Sequence, residues 1–127
     1  CVFDIASFNG TYTVMSNSVG GGDWGDLKVG DGVMVSAGGN EIAVFAYPYN
    51  APLYILYPMI CQVDPVTFDV TITRQIIGLN TIFSWPMIWA ETGTGPGTVS
   101  PCGDAITLYS SVPGGGYSGT GVLELRK

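Results

Sequence analysis

Polar and apolar residues alternate with a period of two along much of this chain, and helical periodicity is hard to find anywhere. In Gly10-Thr11-Tyr12-Thr13-Val14-Met15-Ser16, Tyr12 and Val14 face one side and Thr11 and Thr13 the other, because successive side chains of a strand point opposite ways. Val33-Met34-Val35 follows the turn Gly30-Asp31-Gly32, and Ile42 to Tyr47 follows Gly38-Gly39-Asn40; together they predict a hairpin. Leu53 to Val63 is long and apolar on both faces, with Pro58 as a bend or bulge. Asp64-Pro65-Val66-Thr67-Phe68 reads as a turn into Asp69 to Arg74, since Asp accepts a local backbone hydrogen bond and Pro presets φ. Further strands are expected over Ile82 to Glu91 (interrupted at Pro86), at Thr98-Val99, from Ala105 to Ser111 and from Gly121 to Arg126.

About eight strands joined by hairpin-sized loops leave no room for crossover helices, so the fold class is all-β. An antiparallel meander of this kind closes into a lipocalin-like barrel or folds into a β-sandwich. Residues 1–127 read as a single domain, long enough to bury a sizeable core. The chain does not start with Met, which suggests that it is processed or cut from something larger.

Composition narrows the partners. The chain is 46% apolar and only 11% charged, against a usual ~25%. Its net charge is −6, with Lys28, Arg74, Arg126 and Lys127 the only cations, too few to neutralise a run of phosphates. Nucleic acid and anionic membrane surfaces are disfavoured as partners. The apolar stretches Ala51 to Val63 and Ile76 to Ala90 are broken by proline, glycine and asparagine, so no transmembrane segment is expected.

The search for catalysis returns absences. There is no histidine, which removes the commonest general base and zinc ligand. Gly20-Gly21-Gly22 and Gly114-Gly115-Gly116 lack the lysine and helix of a phosphate-binding loop. Asp23 and Asp26 flank Trp24 in a glycine-rich loop, and Glu91 follows Trp89, but solvated loop carboxylates explain these better than a glycosidase pair. Asp23, Asp26 and Asp31 match no calcium loop. No enzyme, metal or cofactor is expected. Trp24, with Asp23 and Asp26 beside it, is the candidate ligand-binding element, because exposed indoles stack on sugars or anchor protein contacts. Asn9-Gly10-Thr11 is an N-glycosylation sequon.

Cys1, Cys61 and Cys102 are an odd set, so at most one intramolecular disulfide forms. Cys1 invites a lipoprotein reading, although Val2, Phe3 and Ile5 look ready to pack rather than to act as a tether. Cys61, between Ile60 and Gln62 in a strand-like run, reads as a buried inert thiol.

One resemblance spans nearly the whole chain. Phe3-Asp4-Ile5 with Phe8-Asn9-Gly10-Thr11-Tyr12-Thr13-Val14, then Val29-Gly30-Asp31, Val63-Asp64-Pro65-Val66-Thr67, Pro101-Cys102 before Ile106-Thr107-Leu108, and Gly116-Tyr117 leading to Leu123-Glu124-Leu125 carry it. The chain resembles a domain of Bacteroidetes surface lipoproteins, often near glycan-uptake systems. The resemblance implies an antiparallel barrel or sandwich, export to the cell surface at the outer membrane and a non-enzymatic role. On this reading the domain is the C-terminal part of a longer exported lipoprotein. Cys61 and the rich apolar stretches around Tyr54 to Ile60 and Ile82 to Trp89 depart from the family pattern. A disulfide between Cys1 and Cys102 is expected, because both lie outside the strands and both fall within the resemblance.

The leading expectation is a binding or assembly domain that recognises a glycan or docks onto a partner protein. The alternative is a lipocalin-like carrier of a small apolar ligand, using Tyr54, Phe83 and Trp85. With so few charges and apolar residues on both faces of consecutive strands, Tyr54, Leu56, Phe83 and Trp85 are expected to pack against another chain or neighbouring domain.

Overall fold

The computed structural model describes residues 1–18, 27–45, 54–80, 86–93, 95–112 and 119–127, with backbone alone for 54–56, 79–80, 86–90, 112 and 119–120. After a 3-10 turn, Ile5–Phe8, come strands β1 (Gly10–Asn17), β2 (Gly32–Gly38), β3 (Glu41–Val44), β4 (Tyr54–Leu56), β5 (Met59–Val63) and β6 (Asp69–Ile72). They are followed by β7 (Gln75–Asn80), β8 (Pro86–Thr92), β9 (Gly97–Val99), β10 (Ala105–Val112) and β11 (Gly119–Arg126).

The order β11-β1-β2-β3-β5-β6-β9-β10 returns to β11, so eight antiparallel strands close into a barrel, and the sandwich alternative falls away. Neighbours in the ring follow chain order, as in a meander. β4, β7 and β8 continue β5, β6 and β9 past short breaks, and β8 rejoins β10 through Ser110↔Thr92. The residues expected as Leu53 to Val63 thus form β4 and β5, broken at Tyr57 and Pro58.

The alternation read from the sequence sorts the walls. Tyr12 and Val14 are fully buried, and Thr11 and Thr13 are exposed. Val33 and Val35, Ile42 and Val44, Met59 and Cys61, Ile106 and Leu108, and Leu123 and Leu125 fill the interior in the same way. Burying each large aliphatic side chain stabilises by roughly 1.5–3 kcal/mol. The outer wall carries Thr11, Thr13, Ser36, Glu41, Thr71, Thr98, Glu124 and Arg126, all exposed. Met15, Met34, Ile76 and Tyr109 are exposed as well. No helix among the described residues is long and apolar enough to cross a membrane.

Where the strands break, side chains complete the ladder. The Gln75 amide accepts from the Ile60 N–H at 2.8 Å and donates to the Ile60 carbonyl at 2.8 Å. The Thr92 hydroxyl accepts from the Ile72 N–H at 2.7 Å and donates back to the Ile72 carbonyl at 3.1 Å. A partly buried backbone group left unpaired costs about 1–3 kcal/mol, so these two residues make the breaks tolerable.

The two ends of the barrel differ. At one end, here the floor, lie the turn Gly39-Asn40, the turn 64–68 and the turn 100–104. The segment before β1 crosses this floor. Asp4 caps the 3-10 turn, its Oδ1 accepting from the Ala6 N–H at 3.0 Å, and Phe8 drops into the core fully buried. The Phe3 ring lies 5.9 Å from Phe8 and 5.7 Å from Phe68. Phe68 holds a φ of 63°, a position where a hairpin bulge usually has glycine, and its contact with Phe3 ties that turn to the floor. Cys1 and Cys102 form a disulfide with Cα atoms 5.3 Å apart. Gly103 follows at a φ of +78°, where a Cβ would also lie 2.2 Å from Ser7 Oγ, so no other residue fits.

Candidate functional site

At the opposite end, the rim, the meander places the described strand ends Asn17, Val44, Tyr54, Asn80, Pro86, Val112 and Gly119. The connections 18–31, 45–53, 81–85 and 113–118 therefore all join strands at this one end. The floor turns are two to five residues long, and the connections longer than these, 18–31, 45–53 and 113–118, depart from the rim. A rigid barrel with long connections at one end is a common way to present binding residues.

Of the candidate residues, Asp23, Trp24 and Asp26 belong to the connection between β1 and β2 and lie outside the described residues, as do Phe83 and Trp85 in the connection between β7 and β8. Tyr54 and Leu56 form β4, where Tyr54 pairs with Asn80 and Leu56 with Gly78. Their side chains lie outside the description. Among the described residues, Asn17 closes the base of the first connection, its Nδ2 donating to the Leu27 carbonyl at 2.9 Å. Asp31 accepts from the Lys28 N–H at 2.8 Å, which occupies this carboxylate with a local turn.

The sequon asparagine is committed to the fold. Asn9 Nδ2 donates to the Ala6 carbonyl at 3.2 Å, and its Oδ1 accepts from the Ala37 N–H at 2.8 Å. A glycan on that nitrogen competes with the contact to Ala6 inside the 3-10 turn, whereas the contact to β2 is made by the oxygen.

The cysteines have separate roles. Cys1 and Cys102 are exposed and bonded to each other, whereas Cys61 is a fully buried free thiol whose pKa burial pushes up to about 12. A neutral, shielded thiol is a poor nucleophile, so Cys61 serves packing. A sulfur in a disulfide cannot also carry a thioether-linked lipid, so the bond seen here and acylation of Cys1 exclude one another.

The fold also alters Tyr12. Its hydroxyl donates to the Gly103 carbonyl, and Lys127 Nζ sits 5.5 Å from the ring centroid. Burial first, and the Asp104 charge second, raise its pKa to about 12. A folded pKa above the unfolded value near 10 means that the neutral phenol favours the folded state. Its contribution is complete below about pH 10 and is lost as pH rises through about 12. Tyr12 is therefore expected to ionise late in an alkaline phenolate titration, and Tyr12→Phe should reduce the late phase by one phenol. A titration unchanged by the substitution would refute the assignment.

The outer wall also holds a feature that the sequence did not mark. Ser36, Ala37 and Gly38 of β2, Glu41 and Ala43 of β3 and Ile60 of β5 line a shallow depression of about 240 Å³. Among the described residues no cluster of three or more His, Cys, Asp or Glu stands in metal-binding array. Compared with protein-family models, with curated proteins and with solved structures, the chain finds no match in any of the three.

Proposed function

We propose that this chain is an exported, non-enzymatic binding and assembly domain of the bacterial cell surface, which recognises a glycan at the rim of its barrel. The observation that carries the reading is the asymmetry of the two ends, with turns of two to five residues at the floor and the three longest connections at the rim. Trp24 belongs to the longest of these connections, in the company of Asp23 and Asp26. An indole offers a flat apolar face to a sugar ring, and neighbouring carboxylates accept its hydroxyl hydrogens. The exposed disulfide supports an oxidising compartment outside the cytoplasm. The resemblance to surface lipoproteins near glycan-uptake systems points the same way.

A second reading, a carrier of a small apolar ligand inside the barrel, draws support from Ser110. Its hydroxyl is fully buried and has no hydrogen-bond partner among the described residues, on the same face of β10 as Ile106 and Leu108. Against it, Tyr12, Met59 and Leu108 fill the described interior.

A glycan array with the wild type and Trp24→Ala tests the leading reading. Binding is expected to weaken at least about tenfold, equivalent to about 1.4 kcal/mol. Binding that survives the substitution would remove Trp24 from the site. Capture of a protein at the rim without glycan binding would favour docking instead, and an apolar ligand extracted from the purified protein would favour the carrier.

A further inference from the structure

Apart from Ala37, which packs against the core, the depression on the outer wall is built from positions that alternate with the buried ones. Gly38 pairs with Glu41, Ser36 with Ala43, and Ala43 with Ile60, so three adjacent strands contribute to one surface. Ala43 and Ile60 give it apolar lining, and Ser36 and Glu41 give it side-chain oxygen atoms.

Two observations indicate an occupant. The first is Gly38, whose φ lies outside the left-handed region and whose added Cβ would meet nothing within 4 Å. Gly38 ends β2 beside the turn Gly39-Asn40, and neither its own φ nor crowding calls for glycine there. What its missing side chain does is leave the depression open, as happens where another molecule approaches a strand closely. The second is Glu41. Asp4, Asp31 and Asp64 spend their carboxylates on nearby backbone N–H groups, whereas the exposed Glu41 carboxylate has no hydrogen bond or ion pair among the described residues.

We propose that this depression takes a lysine or arginine side chain from a partner polypeptide. Such a side chain has an aliphatic stem and a cationic head, and it buries the stem while the head stays at the edge. Ala43 and Ile60 suit the stem; Glu41 and Ser36 suit the head. The chain carries ten acidic residues against four cations, which favours a basic partner. At about 240 Å³ the volume holds one long side chain and falls below the roughly 300 Å³ at which small-molecule sites begin. One exposed ion pair contributes little, so the contact adds specificity to a larger interface.

The test is amide NMR of the intact domain, titrated with a short capped peptide containing one lysine and with its norleucine counterpart. The lysine peptide is expected to bind with a Kd of about 1 mM and to shift Gly38, Glu41, Ala43 and Ile60. Glu41→Gln should weaken binding about two- to fivefold, the range of an exposed ion pair, and Gly38→Leu, whose Cβ meets nothing within 4 Å, should weaken it at least as much by occupying the depression. Glu124→Gln, on β11, should leave binding unchanged. Three results would overturn the proposal: no shift at about 10 mM peptide, tenfold above the expected Kd, equal binding by the norleucine peptide, or equal loss in Glu124→Gln. The substitutions tested here leave Trp24 in place, so failure of this site and failure of the rim reading are separable.

Discussion

Replacing Cys1 and Cys102 together by serine is expected to lower the unfolding free energy by about 4 kcal/mol. The bond spans a sequence separation of 101 residues, close to the whole chain, and in the chain-entropy model a loop of that length constrains the unfolded state strongly. A domain of this size is stable by roughly 5–15 kcal/mol, so the loss is a large fraction of the total. Urea unfolding with and without a reductant measures it. The folded double variant should still shield Cys61 from thiol reagents, because that side chain is enclosed by the barrel wall and not by the cross-link. A loss below about 1 kcal/mol would mean that the floor holds together without the bond, and that the unfolded chain gains little from its removal.

Phe8→Ala is expected to cost about 3–5 kcal/mol with the disulfide intact. Phe8 is fully buried at the end of the 3-10 turn, and the tilted ring of Phe3 packs on it. Its removal leaves a cavity at the floor that the turn cannot fill, because Asp4, Asn9 and Lys127 each fix the segment by hydrogen bonds. Val66, exposed to 80% in the floor turn, is the matched control, and Val66→Ala should stay within about 0.5 kcal/mol. Similar costs for the two substitutions would show that the segment before β1 lies on the barrel without sealing it. The two losses at the floor should not add, since both the cross-link and the ring restrain the same segment.

Much of this architecture is legible in local residue order. The alternation from Thr11 to Val14, the turn chemistry of Asp64-Pro65 and the glycines before Glu41 are each readable without the rest of the chain. The structure matches them: Tyr12 and Val14 go in, and Asp64 Oδ1 accepts from the Val66 N–H at 2.8 Å and the Thr67 N–H at 3.1 Å. Those bonds also hold the Asp64 carboxyl below its ordinary pKa.

Other elements left no local signature. The 3-10 turn of Ile5–Phe8 is four residues long, too short for any periodicity to show. β7 was not anticipated because Gly78 and Asn80 look like strand breakers. It exists because β4 and β8 pair with it on both sides, and pairing outweighs propensity in a strand. Gln75 and Thr92 gave no sign that their side chains would stand in for missing ladder bonds.

By itself, the sequence determined the strand class, which residues face inward, the chemistry of the turns and the absence of histidine-based chemistry. These are properties of neighbouring residues, since side-chain direction in a strand depends only on position along it. The tertiary structure decided the closure of β10 and β11 into a barrel, the sealing of one end by the segment before β1, and the meeting of Gly38, Glu41 and Ile60 on one wall. A sandwich and a barrel present the same period of two, so alternation cannot choose between them. The choice rests on register between strands far apart in the chain, and that register is set only when all the inward faces pack into one core.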